Sequence, residues 1–89
     1  MLVLPRDLTR SQAKACLQML VQGLPAMAAN PVVVDAGALE RFDSSALAVL
    51  LELRREALVR GKALVIRALP DRLRALATVY GIAELLPGA

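Results

Sequence analysis

The sequence predicts an α/β fold in which short strands alternate with helices, in the order β-α-β-α-β-α. Two runs, at 32–34 and 63–66, are apolar and rich in β-branched residues, which is typical of strands buried in a parallel sheet. The segments between and after these runs carry apolar residues at helical spacing. Such alternation favours parallel strand pairs joined by right-handed crossovers. We therefore expect residues 1–89 to form a single domain, with a small mixed β-sheet packed against helices.

The first half of the chain begins with a short strand at 2–4, which Pro5 closes. Thr9 and Gln12 have the spacing of a capping box and predict the start of a helix. We expect this helix to end at 23–25. Its apolar side is expected to comprise Ala13, Leu17, Leu20, Val21 and Leu24.

In the second half, the connector at 38–42 is expected to be partly extended. A helix follows from about 44 to 60, and Gly61 stands where helices commonly end. After the strand at 63–66, Pro70 is favourable for the start of a last helix, which Gly81 ends. The apolar stripe of this last helix is expected to comprise Leu73, Leu76, Ala77 and Tyr80.

The composition excludes several classes of function. The chain has no histidine, which removes Ser-His-Asp and Cys-His catalysis and most zinc sites. Its single cysteine, Cys16, excludes an intramolecular disulfide and is expected to be a small core residue. The common phosphate-binding loops and the nucleophile elbow are absent from the sequence. We expect no enzymatic activity, no cofactor and no metal.

Charge and hydropathy restrict the partners. The net charge is +3, the basic residues are scattered, and Phe42 and Tyr80 are the only aromatic residues, so we expect no nucleic-acid binding. The longest apolar run, 46–51, is far shorter than the roughly 20 residues that a membrane span needs. The N-terminus does not read as a signal peptide, so we expect a cytoplasmic protein without direct membrane insertion. Because 57% of the residues are hydrophobic, we expect a partner to cover part of the apolar surface.

The stretch RFDSSALAVLL, at 41–51, opens the longest predicted helix. Asp43, Ser44 or Ser45 could each cap its start by accepting a hydrogen bond from a free amide. Asp35 and Asp43 end two connecting segments and could in principle hold a cation, but turn and cap roles are favoured for both.

Helical geometry suggests an exposed strip on this helix. At about 100° per residue, Ser45 projects to the same side as Glu52 and Glu56. We expect this side to face solvent, together with Ala48, Val49 and Val59. The residues expected to face the core are Leu47, Leu50, Leu51 and Leu58. The helix dipole would favour a phosphate in the first turn, so a modified Ser45 could switch an interface.

A larger pattern supports a family resemblance. The run 32–35, the segment 42–47 that opens a helix, Gly61, a strand and a short amphipathic helix together resemble the STAS domain over nearly the whole chain. This is the fold shared by anti-sigma factor antagonists and by the cytoplasmic ends of some anion transporters. The resemblance implies a STAS-like fold whose first strand is missing or shortened here. Such a sheet would have an exposed edge, which favours pairing into a homodimer.

Two branches of the family imply different functions. In anti-sigma factor antagonists the motif reads Asp-Ser-Ser-Gly-Leu, and the anti-sigma kinase phosphorylates the second serine, here Ser45. In the MlaB-like subunit of the Mla phospholipid transporter, also called the toluene-tolerance type, a hydroxyl residue follows the aspartate, here Ser44. That residue lies where the subunit docks on the ABC ATPase. The C-terminal half, with Tyr80 and a Leu-Pro end at 86–87, is similar to the Mla subunit.

The resemblance to the Mla subunit therefore implies a non-enzymatic adaptor that binds and regulates the ATPase of a phospholipid ABC transporter, held at the inner membrane through that partner. The alternative is an anti-sigma factor antagonist, bound by an anti-sigma factor kinase and phosphorylated at Ser45 or Ser44. Ala46 stands where many members have glycine, and its methyl group is expected to narrow the space for a kinase-type partner. The expected partner surface comprises Asp43, Ser44, Ser45, Ala48, Val49, Glu52, Arg55 and Glu56.

Overall fold

The computed structural model describes residues 1–88. Within this range the chain forms five short strands and three α-helices, and the predicted α/β class is confirmed. The strands are β1 (Leu2–Val3), β2 (Asp7–Leu8), β3 (Val32–Asp35), β4 (Arg41–Phe42) and β5 (Leu64–Arg67). The helices are α1 (Arg10–Gly23), α2 (Ser44–Val59) and α3 (Asp71–Val79), and short 3₁₀ turns lie at Leu24–Ala26 and Ala83–Leu85.

The strands form two parallel sheets. The main sheet has the strand order β1-β3-β5, and β2 pairs with β4 in a second sheet. Every strand pair within residues 1–88 is parallel, as the alternation of strands and helices predicts. A mixed sheet would also include antiparallel pairs, and none is found among these residues. The connector at 38–42 contains β4, whereas β2 has no counterpart in the sequence prediction, because two residues carry no periodicity.

The helices cover one face of the main sheet. The crossover through α1 leads from β1 to β3, and the crossover through α2 leads in the same direction from β3 to β5. Because such crossovers are right-handed, both helices lie on the same side of the sheet. In agreement, α1 and α2 pack against each other, and Leu2 of β1 contacts Gly23 at the end of α1. The strand residues on this side are buried: Leu2, Val32, Val34, Leu64 and Ile66.

The other face of the main sheet is left without a helix. Its residues alternate with the buried ones, as strand geometry requires. Val33, Asp35 and Val65 are half-buried, Arg67 is exposed, and Val3 is 53% exposed. We call this surface, formed by Val3, Val33, Asp35, Val65 and Arg67, the open face.

Two glycines end helices in the way that the sequence predicts. Gly61 and Gly81 have φ angles of +74° and +73°, which favour glycine because it has no Cβ. After α2, the amide of Gly61 donates to the carbonyl of Leu58, and the amide of Lys62 donates to the carbonyl of Ala57. After α3, the amide of Gly81 donates to the carbonyl of Thr78, and the amide of Ile82 donates to the carbonyl of Ala77. Both helix ends are therefore Schellman motifs.

The core largely follows the predicted apolar pattern. Cys16 and Leu20 of α1 and Leu73 and Ala77 of α3 are buried. The prediction for Tyr80 is wrong: this residue is the C-cap of α3 and is 58% exposed, because the helix ends before the stripe can continue. Among the helices of residues 1–88, none combines the length and the apolar character that a membrane crossing needs.

Candidate functional site

Asp43 fixes the start of α2. Its carboxylate accepts a hydrogen bond from the amide of Ser45 at 2.8 Å, so Asp43 is the cap among the three candidates. The same carboxylate accepts a second hydrogen bond, at 3.1 Å, from the amide of Arg10, the first residue of α1. One side chain therefore joins the N-terminal ends of two helices. The hydrogen bond from Ser45 is the main cause that lowers the pKa of Asp43, and the amide and charge of Arg10 add to it.

The two serines after Asp43 lie in different surroundings. Ser44 is exposed, whereas Ser45 is half-buried on the flank of α2. The exposed side of the helix is therefore centred on Ser44 and not on Ser45. We call the residues along this side the α2 strip; they are Ser44, Ala48, Glu52, Arg55 and Val59.

The position of this strip corrects several expectations. Val49, expected on the partner surface, is only 3% exposed and lies in the core. Leu58, expected in the core, is 49% exposed, and Leu51 is half-buried. The reason is that α1 and α3 pack on the flanks of α2, and the periodicity of α2 alone cannot locate them. Ala46 is fully buried, so its methyl group does not reach the expected partner surface.

The charged residues Glu52, Arg55 and Glu56 of the expected partner surface all form ion pairs. Arg55 and Glu52 form an exposed pair at 3.5 Å. Glu56 is half-buried and pairs with Arg60 at 2.9 Å, and the same guanidinium nitrogen donates to the backbone carbonyl of Glu56. Glu56 therefore organises the C-terminal end of α2, whereas Glu52 and Arg55 belong to the strip.

A contact that the sequence does not reveal lies beside the start of α2. The guanidinium carbon of Arg72, in the first turn of α3, stands 4.6 Å from the centre of the Phe42 ring. This distance is typical of a cation–π interaction. The interaction connects Phe42, the residue before Asp43, to α3. No local sequence motif predicts it, because it is a tertiary contact.

Other polar groups of the structure lie away from this strip. A groove of about 340 Å³ beside α1 is lined by residues that include Asp7, Cys16 and Met19. The Oδ1 atom of Asp7 is buried without a hydrogen-bond partner. Asp35 accepts a hydrogen bond from the amide of Gly37, so it has the turn role that was favoured for it. The described part of the chain contains no group of three or more Cys, Asp or Glu residues that could hold a metal ion.

A comparison with protein-family models identifies a match for this chain. The family model described as "Mlab, STAS domain" matches residues 1–87. A comparison with curated proteins gives no match. The family match spans the main sheet, all three helices and the α2 strip, so it covers the candidate site as well as the fold.

Proposed function

This chain belongs to the MlaB-type STAS domain family, and we propose that it is a non-enzymatic adaptor of an Mla-type phospholipid ABC transporter. In this proposal the chain binds the ATPase subunit on the cytoplasmic side of the inner membrane and regulates it. The partner hydrolyses ATP, and the adaptor contributes a surface and no reacting group.

The α2 strip is the observation that carries this proposal. Ser44 and Ala48 are small and exposed, so the backbone of a partner can approach the first two turns closely. Val59, 78% exposed, and Leu58 add apolar surface at the other end of the helix. The proposed docking surface comprises Asp43, Ser44, Ser45, Ala48, Glu52, Arg55, Glu56 and Val59, and it omits Val49 because that residue is buried.

Two added charges test this surface. We expect the double variant Ser44→Asp, Ser45→Asp to fold, because acidic residues are favourable in the first turn of a helix. Its affinity for the ATPase subunit should fall by at least about tenfold, because the new carboxylates lose their water at a packed interface. Biolayer interferometry with the purified ATPase subunit of the same bacterium's Mla-type transporter measures the affinity.

Ser11→Asp is the matched control. Ser11 is the second residue of α1, as Ser45 is of α2, and it is exposed and lies outside the α2 strip. The same change of residue at this position should therefore leave the affinity unchanged. Equal binding by the double variant and the parent would place the docking surface elsewhere. If the parent itself does not bind the ATPase subunit, the proposed function is wrong.

A second candidate function is that of an anti-sigma factor antagonist controlled by serine phosphorylation. The observation in its favour is that Ser44 is exposed in the first turn of α2, where a phosphate is favourable, and Arg10 lies close to the same turn. Ser45 is half-buried and less accessible to a kinase than Ser44. Incubation with a cognate anti-sigma kinase and ATP, followed by mass spectrometry, tests this candidate: phosphate on Ser45 or Ser44 supports it, and an unmodified chain excludes that kinase reaction.

A further inference from the structure

The open face is unusual for a parallel sheet. Parallel sheets are generally covered on both faces, because their strands are apolar on both sides. Here the main sheet is parallel, its helices lie on one side, and the opposite side carries three valines. Of these, Val3 is 53% exposed, and Val33 and Val65 keep part of their surface in water.

The strand register orders this face in two adjacent rows. Val33 of β3 stands directly beside Val65 of β5, and Asp35 stands beside Arg67 in the next row. One row is therefore apolar, and the neighbouring row carries Val3 beside one acidic and one basic residue. Arg67 has no ion-pair partner within residues 1–88, although it lies next to Asp35. The carboxylate of Asp35 receives one hydrogen bond, from the amide of Gly37 at 2.8 Å.

We propose that the open face binds the open face of a second copy of this chain. A two-fold axis that runs parallel to the strands, between β3 and β5, exchanges the positions of these two strands. It places Val33 over Val65 of the second copy, and Asp35 over Arg67 of the second copy. A single operation thus satisfies both cross-strand pairs of β3 and β5 at once, because the two pairs share the same register. The spacing of about 10 Å between packed sheets accommodates both contacts.

Charge complementarity favours a second copy over an unrelated partner. A two-fold interface requires a surface that matches itself, so that each charge meets its opposite. The acidic and basic residues of the open face lie on the two strands that the axis exchanges, and they satisfy this requirement. The face is only three strands wide, so we expect a transient dimer with a dissociation constant on the order of 100 µM.

Charge reversal tests this interface. Sedimentation equilibrium of the full chain at low salt, from about 10 µM to 1 mM, should show a monomer–dimer equilibrium. Arg67→Asp alone and Asp35→Arg alone each place like charges opposite each other, and each should weaken the dimer by at least about tenfold. The double variant Asp35→Arg, Arg67→Asp restores opposite charges and should recover the affinity to within about threefold of the parent.

A second measurement locates the contact in the parent chain, without any substitution. In NMR spectra recorded at increasing concentration of the parent, amide signals of β3 and β5 should shift, and those of α2 should not. A chain that stays monomeric at 1 mM overturns the proposal. A dimer that is insensitive to both single reversals, with shifts confined to β1, also overturns it and supports pairing through the sheet edge. This test does not depend on the ATPase, so its outcome is separate from that of the proposed function.

Discussion

At the scale of single residues, Asp43 has a larger structural role than its exposure suggests. Its carboxylate accepts hydrogen bonds from the amide of Arg10, the first residue of α1, and from the amide of Ser45, the second residue of α2. It therefore sets the relative position of two helix ends that come from distant parts of the chain. The sequence limits the cap to Asp43, Ser44 or Ser45, but it does not reveal the second contact of Asp43, with the amide of Arg10, because that contact depends on tertiary packing. The exposure of Ser44 relative to Ser45 depends on the same packing and could not be read from the motif.

The change in stability at acidic pH should report the hydrogen bonds of the Asp43 carboxylate. The pKa of Asp43 is lowered in the folded state, so its contribution to stability is present above the pKa of the unfolded chain, about 3.9. It is lost as the pH falls through the lowered folded-state pKa. We expect Asp43→Asn to lower the urea midpoint at pH 7, and the difference from the parent to shrink towards pH 2.

Asp71→Asn is the control for this measurement. Asp71 lies in the first turn of α3, but its carboxylate caps no helix amide within residues 1–88. Asp71→Asn should therefore lower the urea midpoint at pH 7 by less than Asp43→Asn does. A difference between Asp43→Asn and the parent that stays constant from pH 7 to pH 2 would contradict the proposed role of the ionised carboxylate.

At the scale of elements, helix ends are well encoded in the sequence and helix faces are not. Gly61, Gly81 and the Thr9–Gln12 capping box were predicted from local residue types, and the structure contains all three motifs. The exposed side of α2 was misjudged, because it depends on where α1 and α3 pack. Strand β2 was missed for a related reason, since a strand of two residues is defined by its partner and not by its own pattern.

The two Schellman glycines allow a matched test of backbone strain. A Cβ at Gly61 or Gly81 would have no atom within 4 Å, so substitution causes no steric clash. The cost comes only from the positive φ angle, and we expect Gly61→Ala and Gly81→Ala each to lower the free energy of unfolding by about 1 kcal/mol.

Asparagine provides the control for these variants. It tolerates the left-handed conformation better than alanine, so Gly61→Asn should recover part of the loss in a chemical denaturation experiment. If the alanine and asparagine variants are equally unstable, the backbone conformation is not the source of the effect.

At the scale of the whole molecule, the order of strands and helices could be predicted, but the bare side of the sheet could not. Alternating apolar and helical segments define a parallel sheet with crossovers. The side on which each helix lies depends on the strand order, and β1-β3-β5 is one of several orders that the same sequence pattern allows. Because both crossovers lead in the same direction across the sheet, the helices pack on one side of it.

The buried thiol of Cys16 provides a probe of the whole fold. Cys16 is 6% exposed, and burial raises the pKa of its thiol, so little of the reactive thiolate is present in the folded protein. We expect its alkylation by iodoacetamide at pH 8 to be at least about a hundredfold slower than in the urea-unfolded chain. Across a urea series, the rate should rise together with loss of the circular dichroism signal. Rapid labelling of the native chain would mean that α1 detaches without global unfolding.

The one-sided arrangement of the helices has a consequence for binding strength. The α2 strip and the open face lie on opposite sides of the sheet and share no residue. Two copies that meet through their open faces would therefore carry two α2 strips, directed outwards in opposite directions. Such a pair would be bivalent, and its avidity for a target that displays two binding sites would depend on the separation of those sites as well as on each individual contact.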